Sequence, residues 1–232
     1  MCGRFNMTTD PLTRLFMALA GRSMPGGDRL NVAPTETVPV VAAEEGARFV
    51  AEMRWWLVPS WAKAPDTRYA MFNARSETLA RSPAFRGPFR QRRCIVPVSG
   101  FYEWLRDDDG RKQPWLLGPE KADGVRLAGL WDRWERGEES LESFTIVTTG
   151  AASKLRWLHP RQPVILTADE ADAWLAADAD TEHLAALCAP RLAVPLRASP
   201  LSTQVNDARY QGPACLEPTG PVRELAPDEA SD

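Results

Sequence analysis

Histidine, tyrosine and cysteine are scarce in this 232-residue chain, with two His, three Tyr and four Cys. The cysteines are Cys2, Cys94, Cys188 and Cys215, and no two form a C-x-x-C pair. With His159 and His183 as the only imidazoles, no zinc-ligand spacing exists, and neither a metal nor another cofactor is expected. Unpaired thiols fit a reducing cytoplasmic setting better than a disulfide framework. No run of about 18 apolar residues occurs, so no membrane partner is expected. The first residues lack the apolar stretch of a secretory signal. Internal repeats and long linkers are missing as well. A 44% hydrophobic composition over this length fits one substantial core. One domain over 1–220 is expected, followed by a disordered acidic tail over 221–232.

Excess positive charge is also lacking. The formal net charge is −3, which argues weakly against nucleic acid as a partner. The distribution says more. From Arg68 to Arg93 the chain carries Arg68, Arg75, Arg81, Arg86, Arg90, Arg92 and Arg93, with Glu77 as the single acid. Arginine favours bidentate phosphate contacts, so this segment is a candidate phosphate-binding face. An ordinary solvated surface is the alternative.

The hydropathy pattern predicts many short strands and few helices. Asp10-Pro11 reads as an N-cap and first helical residue, with Leu12, Leu15, Phe16 and Leu19 at helical spacing and Gly21 as the stop. Val38 to Ala43 and Phe49 to Trp55 read as a hairpin across Glu44-Glu45-Gly46. Residues from Pro59 to about Pro88 read as irregular. Strands follow at Cys94 to Val98 and Phe101 to Leu105. The turn Asp107-Asp108-Asp109-Gly110 then returns the chain through Pro114 to Leu117. Val125 to Trp131, Phe144 to Thr148 and Val164 to Leu166 are further strands. Thr167 to Glu170 has capping-box form and starts a helix to Leu175. The fold class expected is α+β: a single domain built on a curled, barrel-like, mostly antiparallel sheet with flanking helices.

Five features bear chemistry. The first is Cys2. If Met1 is removed, Cys2 carries an α-amine and a thiol on adjacent carbons. An α-amine titrates near about 7.7–8.0, so at neutral pH a sizeable fraction attacks carbonyls to form Schiff bases. A thiol two carbons away can then close a five-membered thiazolidine, a combination suited to capturing an aldehyde. Second, Asn73 to Thr78 is a polar cluster after an apolar run. Third, Glu103 lies among aromatics in a strand whose alternation points it inward, where burial raises a carboxyl pKa toward acid/base use. Fourth, His159 sits directly before Pro160, with Pro163 beyond, and is a candidate acid/base, whereas His183 reads as surface. Fifth, nine tryptophans is high, and Trp61, if exposed, can stack on bases. Each has a plain structural alternative: an ordinary N-terminus, a local hydrogen-bond cluster, an internal Glu–Arg pair, a satisfied histidine and a core indole.

Met1-Cys2-Gly3-Arg4-Phe5, Asn31-Val32-Ala33-Pro34, Asn73-Ala74-Arg75-Ser76-Glu77, Gly100-Phe101-Tyr102-Glu103-Trp104 and His159-Pro160-Arg161-Gln162-Pro163-Val164 occur in this order. Together with Val205-Asn206 to Glu217-Pro218 they resemble the SOS-response-associated peptidase (SRAP) family, from residue 1 to about Pro218. The resemblance implies an SRAP-like fold and an abasic-site sensor that binds single-stranded DNA. It implies a thiazolidine crosslink between Cys2 and the ring-opened deoxyribose, with lyase activity and removal of Met1. Cys2 then matches the nucleophile, Asn73 its positioning group, Glu103 the acid/base and His159 the group that helps open the sugar. Arg4, Arg75 and Arg161 match phosphate contacts. Gln162 stands where Met is frequent. Trp61-Ala62 stands where some members carry a Trp pair, which weakens a wedging role for Trp61. Trp61, Arg81 and Arg86 complete the candidate DNA-binding set. The expected partner is single-stranded DNA containing abasic sites, met by a monomer on damaged nucleoid DNA. Two other readings remain open: a cysteine peptidase or amidohydrolase using Cys2, and a non-catalytic nucleic-acid-binding module.

Overall fold

A computed structural model describes residues 2–119 and 124–228. The chain runs β1 (Arg4–Met7), α1 (Thr9–Ala20), β2 (Arg29–Val32), β3 (Thr37–Glu44), β4 (Ala47–Trp55) and β5 (Asn73–Arg75). It continues through α2 (Arg86–Gln91), β6 (Arg93–Val98), β7 (Gly100–Arg106), β8 (Lys112–Pro119), β9 (Val125–Arg136) and β10 (Glu139–Gly150). It ends with β11 (Arg161–Pro163), β12 (Ile165–Leu166), α3 (Ala168–Leu175), α4 (Thr181–Leu187), β13 (Leu196–Pro200) and β14 (Arg223–Leu225).

Strands β9, β10, β4, β3 and β6 pair in a ring, because β9 bonds both β6 and β10, and this closes a five-stranded barrel. All its pairings are antiparallel except β10 with β4. A second, antiparallel sheet runs β14-β13-β8-β7-β1-β2. The α+β architecture and the single curled-sheet domain are as the strand pattern predicts. No helix among the described residues is long and apolar enough to cross a membrane.

Local chemistry explains the elements. Glu45 and Gly46 take φ of 51° and 82°, the left-handed pair that a two-residue hairpin turn demands, and Glu44 pairs with Ala47 across it. Thr167 accepts from the Glu170 N–H while Glu170 accepts from the Thr167 N–H, so the capping box forms as read. Trp55, Trp131 and Trp174 are fully buried in one continuous core. Each large apolar side chain so buried contributes about 1.5–3 kcal/mol.

The assigned span of α1 opens at Thr9, but Asp10 keeps extended dihedrals (φ −103°, ψ 111°) and the helical path begins beyond it, in keeping with Pro11 as the first helical residue. Two expectations need correction. The strand expected over Val164 to Leu166 is split: β11 pairs with β10 and β12 with β9, so the chain changes partner at Val164. The stretch 59–88 holds β5, a 3-10 turn at Ser76–Thr78 and the start of α2. Within the stretch expected as a tail, the structure describes residues through 228 and includes β14. Arg197 of β13 pairs with Glu224 of β14, the Arg223 guanidinium lies 4.1 Å from the Trp157 ring centre, and Lys154 pairs with Asp228 at 3.4 Å. Residues 229–232 of the expected tail lie outside the described residues.

Candidate active site

Two strand pairings assemble the site. β1 pairs with β7, Arg4 opposite Tyr102 and Phe5 opposite Phe101. One step along that register, Gly3 faces Glu103. Phe5 anchors the strand, its ring 4.7 Å from Trp55, which stacks on Phe144 at 6.4 Å. Gly100 is required where β7 is squeezed, since a Cβ there would lie 2.8 Å from the Leu117 carbonyl oxygen. The second pairing centres on β10, whose Thr148 sits opposite Arg75 of β5 on one side and Pro163 of β11 on the other. Three motifs far apart in sequence therefore reach one end of the barrel.

Cys2 is fully buried there. Asn73 Nδ2 donates to the Cys2 carbonyl at 2.8 Å, and the Cys2 thiol approaches the Arg4 carbonyl at 3.9 Å. Burial, followed by the charge of Glu103, pushes the Cys2 thiol up, away from thiolate. Glu103 is 5% exposed, and burial pushes its carboxyl up, with His159 opposing part of that rise. His159 Nδ1 lies 4.0 Å from Glu103 Oε1 and 3.0 Å from both the N and the O of Arg161. Unprotonated, Nδ1 accepts the Arg161 N–H. Protonated, it donates to the Arg161 carbonyl beside Glu103. The histidine thus has a partner in either state.

A cavity of about 380 Å³ opens onto this cluster. Gly3, Arg4, Glu103 and His159 line it together with Trp104 and Asn206, and Arg106 and Lys112 complete the wall. Trp104 Nε1 donates to Asn206 Oδ1 at 2.6 Å. Sequence reasoning gave Trp104 and Asn206 no role, although both lie in the motifs quoted. Arg106 and Lys112 carried no signal beyond flanking a turn.

The candidate phosphate contacts divide. Arg4 is engaged internally, donating to Asn31 Oδ1 at 2.8 Å and to the Val205 and Asn206 carbonyls at 3.2 and 3.3 Å. Asn31 in turn donates to the Asp207 carbonyl at 3.0 Å, so Asn31-Val32-Ala33-Pro34 ties β2 to the closing segment. Arg161 forms a two-point ion pair with Glu77 at 2.8 and 3.1 Å and donates to the Thr148 carbonyl at 2.7 Å. Arg75 is exposed.

The arginine segment is not one face. Arg93 is buried and donates to the carbonyls of Phe89, Arg90, Trp174 and Ala176 at the ends of α2 and α3. Arg92 pairs with Asp132 and Arg68 with Asp66. Arg81 and Arg86 are exposed, and Arg81 donates to the Glu77 carbonyl at 3.2 Å. Trp61 is 62% exposed. Trp61 and Arg86 line a separate hollow of about 570 Å³ rather than the Glu103 cavity.

The comparisons with known proteins follow the same lines. The family model described as SOS response associated peptidase (SRAP) matches residues 1–208. The chain is 32% identical over 222 residues to a Bacillus subtilis protein named abasic site processing protein YoqW, covering 94% of this chain and 99% of that one. It is 34% identical over 221 residues to abasic site processing protein HMCES of Xenopus tropicalis, covering 80% of this chain and 64% of the relative. A crystal structure of a Bacteroides thetaiotaomicron protein superposes with a TM-score of 0.80 at 22% identity, covering 94% of this chain and all of that one. At that identity the superposition speaks for the fold alone.

Proposed function

The chain belongs to the SOS response associated peptidase (SRAP) family, and from that premise we propose that it processes abasic sites in single-stranded DNA by covalent capture at Cys2. The observation that carries this reading is the clustering of Cys2, Asn73, Glu103 and His159 beside one cavity. An abasic sugar equilibrates with an open aldehyde, and capture requires ring opening, a free amine and loss of water.

The residues divide the work. Removal of Met1 frees the Cys2 amine, and Asn73 holds the Cys2 main chain in place. The amine adds to the aldehyde carbon to give a carbinolamine. Glu103, whose burial favours the protonated carboxyl, gives its proton to the departing hydroxyl, so water leaves and an iminium forms. The Cys2 thiol attacks that carbon and returns its proton to the Glu103 carboxylate. One water is lost and Glu103 is regenerated. His159, beside Glu103, moves the proton that opens the sugar and supports strand-cleaving lyase chemistry. Arg75 and, once released from Glu77, Arg161 meet the flanking phosphates.

A cysteine hydrolase would need a thiolate paired with a base. Burial instead drives the Cys2 thiol toward its neutral form, which disfavours that reading.

The test is intact mass before and after incubation with single-stranded DNA bearing one abasic site. The expected result is loss of Met1, then gain of one strand minus one water in a heat-stable adduct. Cys2→Ala should keep DNA affinity and lose that adduct. A processed protein that forms no adduct would overturn the proposal and favour the hydrolase. A Cys2→Ala protein that keeps every measurable activity of the wild type would favour the non-catalytic module.

A further inference from the structure

Arg106 closes β7 and Lys112 opens β8, and the two are direct cross-strand partners. Opposed residues on one face have Cβ atoms about 4.5–5.5 Å apart, and like charges placed so are destabilising. Among the described residues no acid pairs with either side chain. Both side chains are exposed, and among the described residues neither makes a side-chain hydrogen bond or ion pair. Two of the three acids of the intervening turn are used elsewhere. Asp107 accepts the Arg111 N–H at 2.8 Å, and Asp109 pairs with the Arg111 guanidinium at 3.8 Å. Arg111, in the turn ahead of β8, is not among the residues that line the cavity.

The position of the pair gives it a use. Both residues line the cavity that holds Glu103 and His159. The same cavity contains Arg4, whose donors are largely taken by Asn31 and two carbonyls. Arg161, at the neighbouring loop, is occupied by Glu77. The uncommitted positive charge at the mouth therefore lies on the hairpin, where no motif pointed. We propose that Arg106 and Lys112 form a phosphate subsite that clamps one backbone phosphate of the strand as it enters the Glu103 cavity. This rests on the abasic-DNA reading and adds a contact that fixes where the strand crosses the protein. Bringing a phosphate between two cations converts their mutual repulsion into shared attraction, so the clamp is stabilised by the ligand it binds. The three aspartates of the turn repel the strand from the hairpin tip and confine it to the cavity side.

The experiment measures affinity for single-stranded DNA carrying a tetrahydrofuran abasic analogue, which has no aldehyde and so reports binding without crosslinking. Titrations run from about 50 to 200 mM salt. Neutralising one phosphate on a single strand contributes about 0.7 to the slope of log affinity against log salt. Arg106→Gln/Lys112→Gln should flatten the slope by about 0.7, so the wild-type loss of affinity over that range shrinks by roughly 2.6-fold. Lys112→Arg should keep the wild-type slope. Arg111→Gln, one residue away and outside the cavity lining, should also keep it, which separates contact from general field. An unchanged slope in the double variant, or an equal change in Arg111→Gln, overturns the subsite. If wild-type protein captures a natural abasic strand while the double variant shows no slope change, the subsite fails alone. If wild-type protein neither binds nor captures that strand, the underlying reading fails with it.

Discussion

Asn73→Ala separates positioning from folding more cleanly than any other change at this site. The Asn73 amide makes one hydrogen bond, to the Cys2 carbonyl at 2.8 Å, in a fully buried setting. Removing the donor leaves that buried carbonyl unpaired, at a cost of about 1–3 kcal/mol. A loss of about 2 kcal/mol lowers Tm by roughly 4–8 °C for a chain of this size. Even if total stability were only about 5 kcal/mol, the remaining 3 kcal/mol keeps about 99% of molecules folded at 25 °C. Unfolding therefore cannot imitate a large rate effect. A misplacement of about 1 Å in a reacting group costs on the order of 100-fold in rate. Single-turnover adduct formation at saturating abasic DNA should fall by about that factor. Asn73→Asp should be worse in both assays, because an ionised carboxylate only accepts and would face the Cys2 carbonyl oxygen with Glu103 nearby. A rate within about threefold of wild type in Asn73→Ala, alongside the lower Tm, would refute the positioning argument. An Asn73→Asp protein as stable as Asn73→Ala would refute the donor geometry.

Glu103→Gln should slow adduct formation by roughly 10²–10⁴-fold while leaving DNA affinity nearly unchanged, as expected for an acid/base group; equal losses in rate and affinity would count against it. Because burial raises the folded-state pKa of Glu103, the native protein holds that proton more tightly than the unfolded chain. Wild-type stability should therefore fall relative to Glu103→Gln as pH rises from about 4.3 through the raised value, and the two pH profiles should run parallel below about pH 4; chemical denaturation across pH reads this directly. Arg93→Met should destabilise by about 3 kcal/mol, since carbonyls at two helix ends lose a charged donor, yet leave the salt dependence of DNA binding unchanged. A small loss of stability with a shallower salt slope would return Arg93 to the phosphate-binding set. Glu77→Gln should release Arg161 from its ion pair and tighten single-stranded DNA binding by up to about fivefold; unchanged affinity would mean Arg161 does not reach the strand.

The hairpins of this fold were legible because alternation is local. β3–β4 and β7–β8 each carry their period and their turn residues within a short window, and α3 carries its own capping box. β1, β2, β13 and β14 escaped notice for the opposite reason. They are three to five residues long, too short to show a period, and partners distant in sequence hold them as strands. Charge was the least legible property. Seven arginines in one segment suggested a phosphate-binding face, but a count does not register direction. Arg93 turned inward to helix-end carbonyls, and Arg68 and Arg92 took acids.

The sequence by itself determined which groups are at hand: a cysteine second in the chain, whose amine is free once Met1 is removed, a carboxylate among aromatics and a histidine directly before a proline are covalent facts that survive any fold. It also determined the fold class, because alternation and turn residues act over a few positions. Only the tertiary structure decided which groups meet and which charges remain available. The β1–β7 register set Gly3 against Glu103, and β10 drew Asn73 and the His159 loop to one end of the barrel. The same packing occupied Arg4 and Arg161 while leaving Arg106 and Lys112 paired across an open strand end. Electrostatic partnership depends on distances of a few ångströms between residues up to 202 positions apart, and no local pattern encodes those distances.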